Sequence, residues 1–195
     1  METLRFSEDE LKQLLAKDER LALAIKRIGR IKREAFPDPF YGLFVQIAGQ
    51  QISGKALERI IGKTSGLTPK AALGMGIPGL RGIGLSEAKA KAITASARKF
   101  VSGEWDDLPL LSDEEVEANL TEIKGIGRWT AEMYLLFTLK RKSVLSYGDY
   151  GIRKGICALF GYKTLSRKRF EGVKRKLSPH LSLASLYLWE IAAGK

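Results

Sequence analysis

Two short stretches of the sequence carry the groups best suited to chemistry. The first is Lys124-Gly125-Ile126-Gly127-Arg128, where both glycines are expected to serve a tight turn through backbone freedom and close approach. We expect Gly127 to open a helix, and the free N–H groups of a helix start bind phosphate without base preference. The second stretch is Gly148-Asp149-Tyr150. A helix is predicted from Tyr150, so Asp149 is placed to cap it, and a capping aspartate can also be catalytic.

The first stretch is predicted to be the turn of a helical hairpin. Ser112 and Glu115 have the spacing of a capping box, which predicts the start of the upstream helix. The downstream helix carries an apolar face made of Ala131, Tyr134, Leu135, Thr138 and Leu139. Such a face packs onto a core and holds the turn in place.

Composition indicates a polyanionic partner and excludes several kinds of site. The 195 residues include 33 Lys and Arg against 22 Asp and Glu, a net charge of +11. The single cysteine, Cys157, excludes a disulfide framework and a four-cysteine iron–sulfur cluster. The single histidine, His180, is expected to be a surface residue at a helix end and argues against a histidine-based metal or catalytic site. There is no apolar signal region and no apolar stretch of bilayer length, so we expect an intracellular protein, cytoplasmic and nucleoid-associated or nuclear.

Helices are predicted along the whole chain. Apolar residues recur at spacings of three and four and do not alternate, so no strand is expected. Asp38-Pro39 predicts the start of a strongly apolar, buried helix. A polar segment, Gln50-Gln51-Ile52-Ser53, follows this helix directly, and residues 74–79 are predicted to form a loop.

The hairpin, its spacing and the later aspartate together resemble the helix-hairpin-helix superfamily of DNA glycosylases. The residues that carry this resemblance are Ile-Lys-Gly-Ile-Gly-Arg-Trp-Thr-Ala at 123–131 and Ser-Tyr-Gly-Asp-Tyr at 146–150. From Asp38 onward the chain is most similar to the alkylpurine branch, of the 3-methyladenine DNA glycosylase II type. The resemblance implies an all-α, two-lobed fold with the active-site cleft between the lobes. One lobe is 38–142, with the hairpin at about 112–139, and the other is 1–37 plus 143–195. It also implies that Gly82-Ile83-Gly84 is an ordinary helix turn rather than a second hairpin.

The same resemblance assigns the catalytic residue and the base pocket. Asp149 is implied to stabilise the positive charge that develops on the deoxyribose, and to orient or deprotonate the attacking water. The residues implied to line the pocket are Trp129, Met133, Tyr150 and Trp189. Met133 stands where some relatives have an aromatic residue, which implies a wider or less selective pocket. For Trp189, simple core packing of the last helix is an equally good alternative.

DNA contacts are implied at the hairpin and at the polar segment after the buried helix. Gln51 is expected to fill the gap that the extruded base leaves. The residues expected to contact DNA are Gln50, Gln51, Ser53, Lys124, Gly125, Gly127, Arg128 and Thr130, and the basic run at 140–142 is placed for further phosphate contacts. Backbone carbonyls of Thr121, Ile123 and Ile126 are implied to hold a structural Na⁺ or K⁺. No other cofactor is expected.

The function implied is a monofunctional DNA glycosylase of base excision repair that removes alkylated purines by hydrolysis. Bifunctional relatives form a Schiff base through a lysine at the position of Trp129, so no strand-cutting lyase step is expected. The expected partner is double-stranded DNA with damaged bases, bound by a monomer away from membranes. Two alternatives stay open: a non-catalytic helix-hairpin-helix DNA-binding protein, and a glycosylase for another lesion such as hypoxanthine, uracil or ethenoadenine.

Overall fold

The computed structural model describes residues 2–195, which form two compact units. One unit is Ala35–Leu139, and the other combines the residues up to Glu34 with Lys140–Lys195. These bounds lie three residues before the predicted lobe bounds of 38 and 142 at each end. The predicted all-α class is confirmed, except for a two-stranded sheet made of Glu2–Thr3 (β1) and Glu34–Ala35 (β2) where no strand was expected.

The helices account for most of the chain. In order they are α1 (Glu8–Leu15), α2 (Glu19–Ile28), α3 (Pro39–Gly49), α4 (Gly54–Lys63), α5 (Pro69–Gly82), α6 (Glu87–Val101), α7 (Asp113–Thr121), α8 (Arg128–Phe137), α9 (Tyr150–Phe160), α10 (Arg167–Leu177) and α11 (Leu181–Ala192). A short 3₁₀ helix at Leu108–Leu110 precedes α7. Within residues 2–195, no helix is long and apolar enough to cross a bilayer.

Helix starts follow local capping chemistry. The hydroxyl of Ser112 accepts a hydrogen bond from the Glu115 N–H, and the Glu115 carboxylate accepts one from the Ser112 N–H, so the predicted capping box is confirmed. Asp38 caps α3 by accepting from the Tyr41 N–H, with Pro39 as the first helical residue. These caps need only neighbouring residues, which is why the sequence predicts them.

The predicted loop at residues 74–79 is wrong, because helical backbone continues on both sides of one kinked residue. Gly76 has φ 59° and ψ −176°, and α5 resumes with Pro78 near the start of its second part. Proline fits the beginning of a helix, where its missing N–H has no partner to lose.

The turns that precede α6 and α8 share one backbone feature. Gly84 and Gly125 have left-handed φ values of 109° and 101°, and each is followed by a helix start, at Ser86 and at Gly127. The Ser86 hydroxyl caps α6 by accepting from the Lys89 N–H at 3.3 Å. Gly127 has no side chain to do the same for α8. Only the later turn therefore leaves its helix start without a side-chain cap.

Each unit has its own buried core helix. In the Ala35–Leu139 unit α3 is almost fully buried, and it packs against α4, α6 and α8. In the other unit α11 is buried along nearly its whole length, and it packs closely on α9. A Cβ at Gly155 would lie 2.1 Å from the Leu188 carbonyl oxygen, so glycine is what lets the α9 and α11 backbones touch. His180, at the start of α11, is 8% exposed and bonds Gln13 at 2.9 Å, so its predicted surface position is wrong.

Candidate functional site

Asp149 is a buried, doubly hydrogen-bonded carboxylate at the start of α9. It is 8% exposed, and its Oδ1 accepts from the Ile152 N–H at 2.8 Å and from Trp189 Nε1 at 2.9 Å. The predicted N-cap role is confirmed. Because both bonds reach one oxygen from fixed elements, they set the orientation of the carboxylate.

Trp189 belongs to the core and touches the candidate catalytic group as well. Its half-buried ring packs against the core of its unit, while its N–H donates to Asp149. Gly151 permits this arrangement: a Cβ there would lie 2.7 Å from Trp189 Cδ1 and 3.2 Å from Asp149 Oδ1. The sequence analysis did not identify Gly151, although a glycine inside the first turn of a helix is a signal of close approach.

The loop that leads to Asp149 is held by two buried serines of α11. Ser182 Oγ donates to the Arg141 carbonyl at 2.6 Å and accepts from the Val144 N–H at 3.0 Å. Ser185 Oγ donates to the Val144 carbonyl at 2.8 Å. The sequence analysis missed both serines, and their only signal is a pair of hydroxyls in a mostly apolar helix. The helix that supplies Trp189 therefore also sets the path of the loop before Asp149.

The other residues predicted to line the base pocket differ in exposure. Tyr150 follows Asp149 directly and is 78% exposed, which is unusual for so large a ring. Trp129 is half-buried, and Met133, one turn further along α8, is 3% exposed. Trp129 and Met133 belong to the Ala35–Leu139 unit, whereas Tyr150 and Trp189 belong to the other. Their joint role as a pocket stays a prediction.

The hairpin between α7 and α8 has the predicted open helix start. Gly125 has φ 101°, and a Cβ there would lie 3.3 Å from Ala92 Cβ, so its predicted need for backbone freedom and close approach is confirmed. For Gly127 that prediction is wrong, since its φ is −100° and nothing lies within 4 Å of a Cβ. Because Gly127 has no side chain, the residue at the N-cap position cannot accept a hydrogen bond from the first-turn N–H groups of α8.

The two cations beside the hairpin turn differ in whether they have carboxylate partners. Lys124 is exposed, and within residues 2–195 it has no carboxylate partner. Arg128 Nε instead lies 3.3 Å from both Glu117 and Glu132. The charge at Lys124 is therefore the more available to a phosphate.

The basic run at 140–142 is engaged inside its own unit. Lys140 pairs with Glu2 at 2.7 Å, and Lys142 pairs with Glu10 at 3.2 Å and donates to the Arg5 carbonyl at 2.7 Å. These contacts argue against the predicted phosphate role of the run.

The polar segment after α3 is tied to the hairpin by its first glutamine. Gln50 Nε2 donates to the Gly125 carbonyl at 3.0 Å and to Thr130 Oγ1 at 2.8 Å, and Thr130 is 2% exposed. The Gln50 amide nitrogen and the Thr130 hydroxyl are thus engaged within the unit, which argues against the predicted direct DNA contacts of these two side chains. Ser53 caps α4 by accepting from the Ala56 N–H.

Gln51 is the residue of this polar segment that has a left-handed backbone. Its side chain is exposed, and its φ is +53°. Left-handed backbone at a residue other than glycine is uncommon and is concentrated at functional positions.

The carbonyls predicted to hold a monovalent cation lie where helix α7 ends. Thr121 is its last residue, and carbonyls of a last turn have no intrahelical partner. The Ile123 carbonyl accepts from the Ile126 N–H at 2.9 Å, and an oxygen with two lone pairs keeps acceptor capacity after one such bond. This donor set of neutral oxygens fits a monovalent cation. Within residues 2–195 no group of three or more His, Cys, Asp or Glu is placed to hold a metal ion.

Residues 45–179 match the HhH-GPD superfamily of base excision DNA repair proteins. The chain belongs to this superfamily. The match begins in α3 and includes the hairpin, the Asp149 loop and α10.

Relatives within the HhH-GPD superfamily align along most of the chain. DNA-3-methyladenine glycosylase 1 of Schizosaccharomyces pombe is 30% identical over 164 residues, which are 78% of this chain and 72% of that protein. The structure of the S. pombe 3-methyladenine DNA glycosylase in complex with abasic DNA superposes with a TM-score of 0.84 at 29% identity, covering 94% of this chain and 96% of that one. A DNA-3-methyladenine glycosidase from Bacillus halodurans gives a TM-score of 0.81 at 32% identity, covering 98% and 93%.

Proposed function

We propose that the protein is a monofunctional DNA glycosylase that removes alkylated purines of the 3-methyladenine type from double-stranded DNA, acting as a monomer. The observation that carries the proposal is the buried Asp149 carboxylate, fixed by the Trp189 and Ile152 N–H groups, in a member of a base excision repair superfamily. A protein that only binds DNA needs no such carboxylate.

The reaction breaks the bond between C1′ of the deoxyribose and the base nitrogen. The bonding electron pair leaves with the base, the oxygen of a water bonds to C1′, and the water proton passes through Asp149 to solvent. The transition state resembles an oxocarbenium ion, and the negative charge of Asp149 stabilises it. An alkylated purine already carries positive charge and departs as a neutral base, so no acid has to protonate it.

Aromatic rings beside Asp149 are proposed to receive the extruded base. Flipping a base costs a few kcal/mol, stacking on an aromatic ring returns about 1–3 kcal/mol, and a cationic base over a ring gains roughly 0.5–2 kcal/mol more. Since these energies are comparable, selectivity comes mainly from the lability of the alkylated base. Tyr150 and Trp189, which flank Asp149, support this part of the proposal. For Trp129 and Met133 it rests on the resemblance.

DNA is proposed to be held at two places in the Ala35–Leu139 unit. The uncapped start of α8 and the exposed Lys124 bind phosphates, and Gln51 fills the gap in the duplex. A Na⁺ or K⁺ on the carbonyls of Thr121, Ile123 and Ile126 would place a positive charge near the phosphate.

Trp129 stands where lyases need a lysine, so borohydride should trap no covalent protein–DNA adduct, and stoichiometric trapping would contradict this proposal.

Base release from a panel of duplexes, each with one defined lesion, tests the function and ranks the lesions. We expect release of alkylated purines by the natural protein and none by Asp149→Asn. Asparagine is an equally good N-cap, so the variant should melt at the same temperature and bind an abasic-site duplex normally. Near-normal turnover by Asp149→Asn would remove the catalytic assignment.

A further inference from the structure

Lys89 connects the start of α6 to the end of α3. Its Nζ donates to the Ala48 carbonyl at 2.8 Å and to the Gln50 carbonyl at 2.6 Å, and the side chain is half-buried. The two acceptors flank the point where α3 ends and the polar segment begins.

This placement of a lysine is unfavourable by local rules. A cation in the first turn of a helix is opposed by the helix dipole, at about 0.3–1 kcal/mol. Burial also lowers the pKa of Lys89, and within residues 2–195 no carboxylate pairs with it. Lys91, by comparison, is exposed and pairs with Glu87 at 2.6 Å in the ordinary i,i+4 manner. A residue that breaks local rules in this way commonly serves a site elsewhere.

The unfavourable placement of Lys89 is compensated by its contacts at the carboxyl end of α3. Carbonyls there carry the negative end of the helix dipole and lack intrahelical partners. An ammonium group both complements this negative charge and donates hydrogen bonds to the carbonyls. Fixing the Gln50 carbonyl fixes the peptide that enters Gln51, whose φ is +53°. The Gln50 side chain is held separately by Gly125 and Thr130.

We propose that Lys89 is a positioning residue for Gln51, holding the backbone in the left-handed conformation that presents the glutamine to the gap in the duplex. The inference rests on the proposed function, since it takes Gln51 as the gap-filling residue. Without the ammonium group the two carbonyls lose their donor, the left-handed conformation loses its support, and Gln51 enters the DNA less often. Lys89 itself touches neither the base nor the phosphates.

The test is a double-mutant cycle of Lys89→Met and Gln51→Ala. Its first readout is the ratio of affinities for an abasic-site duplex and an intact duplex, which requires no catalysis, and its second is single-turnover base release from an alkylated duplex. Each single variant should lower the affinity ratio about tenfold, equivalent to about 1.4 kcal/mol. Lys89→Met should cause no further loss in the Gln51→Ala background, because neighbours that act through one another are not additive.

Two further variants separate positioning from folding. Lys89→Arg keeps a cation within reach of the carbonyls and should restore most of the ratio, while Lys91→Met, on the same helix, should leave it unchanged. An additive loss in the double variant, or an unchanged ratio in Lys89→Met, would overturn the inference. If the natural protein releases no base, the proposed function fails while the affinity ratio still tests Lys89.

Discussion

Lys124→Ala is expected to make the salt dependence of duplex binding shallower, whereas Arg128→Ala is expected to change it much less. The two cations flank the same hairpin turn, so their sequence positions alone predict similar roles. The structure separates them, because Lys124 is exposed without a carboxylate partner in the described chain and Arg128 is shared by Glu117 and Glu132.

The magnitude follows from counterion release. Each phosphate that a cation neutralises contributes about 0.9 to the slope of log affinity against log salt concentration on B-DNA, so Lys124→Ala should lower the slope by about 0.9. A phosphate must replace two carboxylates to reach Arg128, and we expect less than about half of that change for Arg128→Ala. Removing both carboxylates, with Glu117→Gln and Glu132→Gln, frees the guanidinium. The salt dependence should then become steeper by about 0.9 in the log–log slope.

Fluorescence anisotropy of labelled duplexes at several salt concentrations measures these slopes. Lys12→Ala removes one positive charge from α1, where no DNA contact is proposed, and serves as the control for net charge. An unchanged slope for Lys124→Ala would show that backbone amides alone bind the phosphates. Equal losses for the two alanine variants would show that the carboxylates do not restrain Arg128. The losses must also be the same on intact and abasic duplexes, since phosphate contacts carry no base information.

Two further predictions concern stability in the unit that contains Asp149. Gly155→Ala places a methyl group 2.1 Å from the Leu188 carbonyl oxygen, and the overpacking should lower the free energy of unfolding by about 1–3 kcal/mol or more in denaturant titrations; an unchanged midpoint would mean that α9 and α11 separate freely. Burial raises the pKa of Asp18, but hydrogen bonds from Arg20 and Lys176 outweigh burial and hold that pKa well below its ordinary value. The ionised Asp18 therefore contributes its full stability above the unfolded-state pKa of about 4, and this contribution is lost as pH falls below that value. Asp18→Asn should flatten the acid limb of a plot of melting temperature against pH. An unaltered limb would contradict this.

Features that depend on neighbouring residues could be predicted from the sequence. The capping box of α7, the Asp38-Pro39 start and the Asp149 cap each involve residues within one turn, so spacing alone identifies them. The hairpin and the superfamily follow from a contiguous motif at 123–131 together with the aspartate.

Features that depend on distant residues could not be predicted. Gln50 and Thr130 both have polar side chains near a predicted DNA surface, and nothing local shows that they bind each other across 80 positions of sequence. Gly127 lies in the same Gly-Ile-Gly motif as Gly125 but has an ordinary φ. A glycine can serve a site because it lacks a side chain as well as because it tolerates a left-handed φ, and the sequence does not distinguish the two. The Ser182 and Ser185 contacts depend on how α11 lies against the loop.

The attachment of the Asp149 loop to α11 has a consequence for motion in this unit. Protein segments open locally with free energies that range from nearly zero, for exposed loops, up to the full free energy of unfolding, for core helices. Although residues 140–149 are a loop, their anchors are Ser182, Ser185 and Trp189 on a buried helix. The Val144 amide should therefore exchange its hydrogen at a rate set by opening of the core, and the candidate catalytic carboxylate keeps its orientation for as long as the unit itself stays folded.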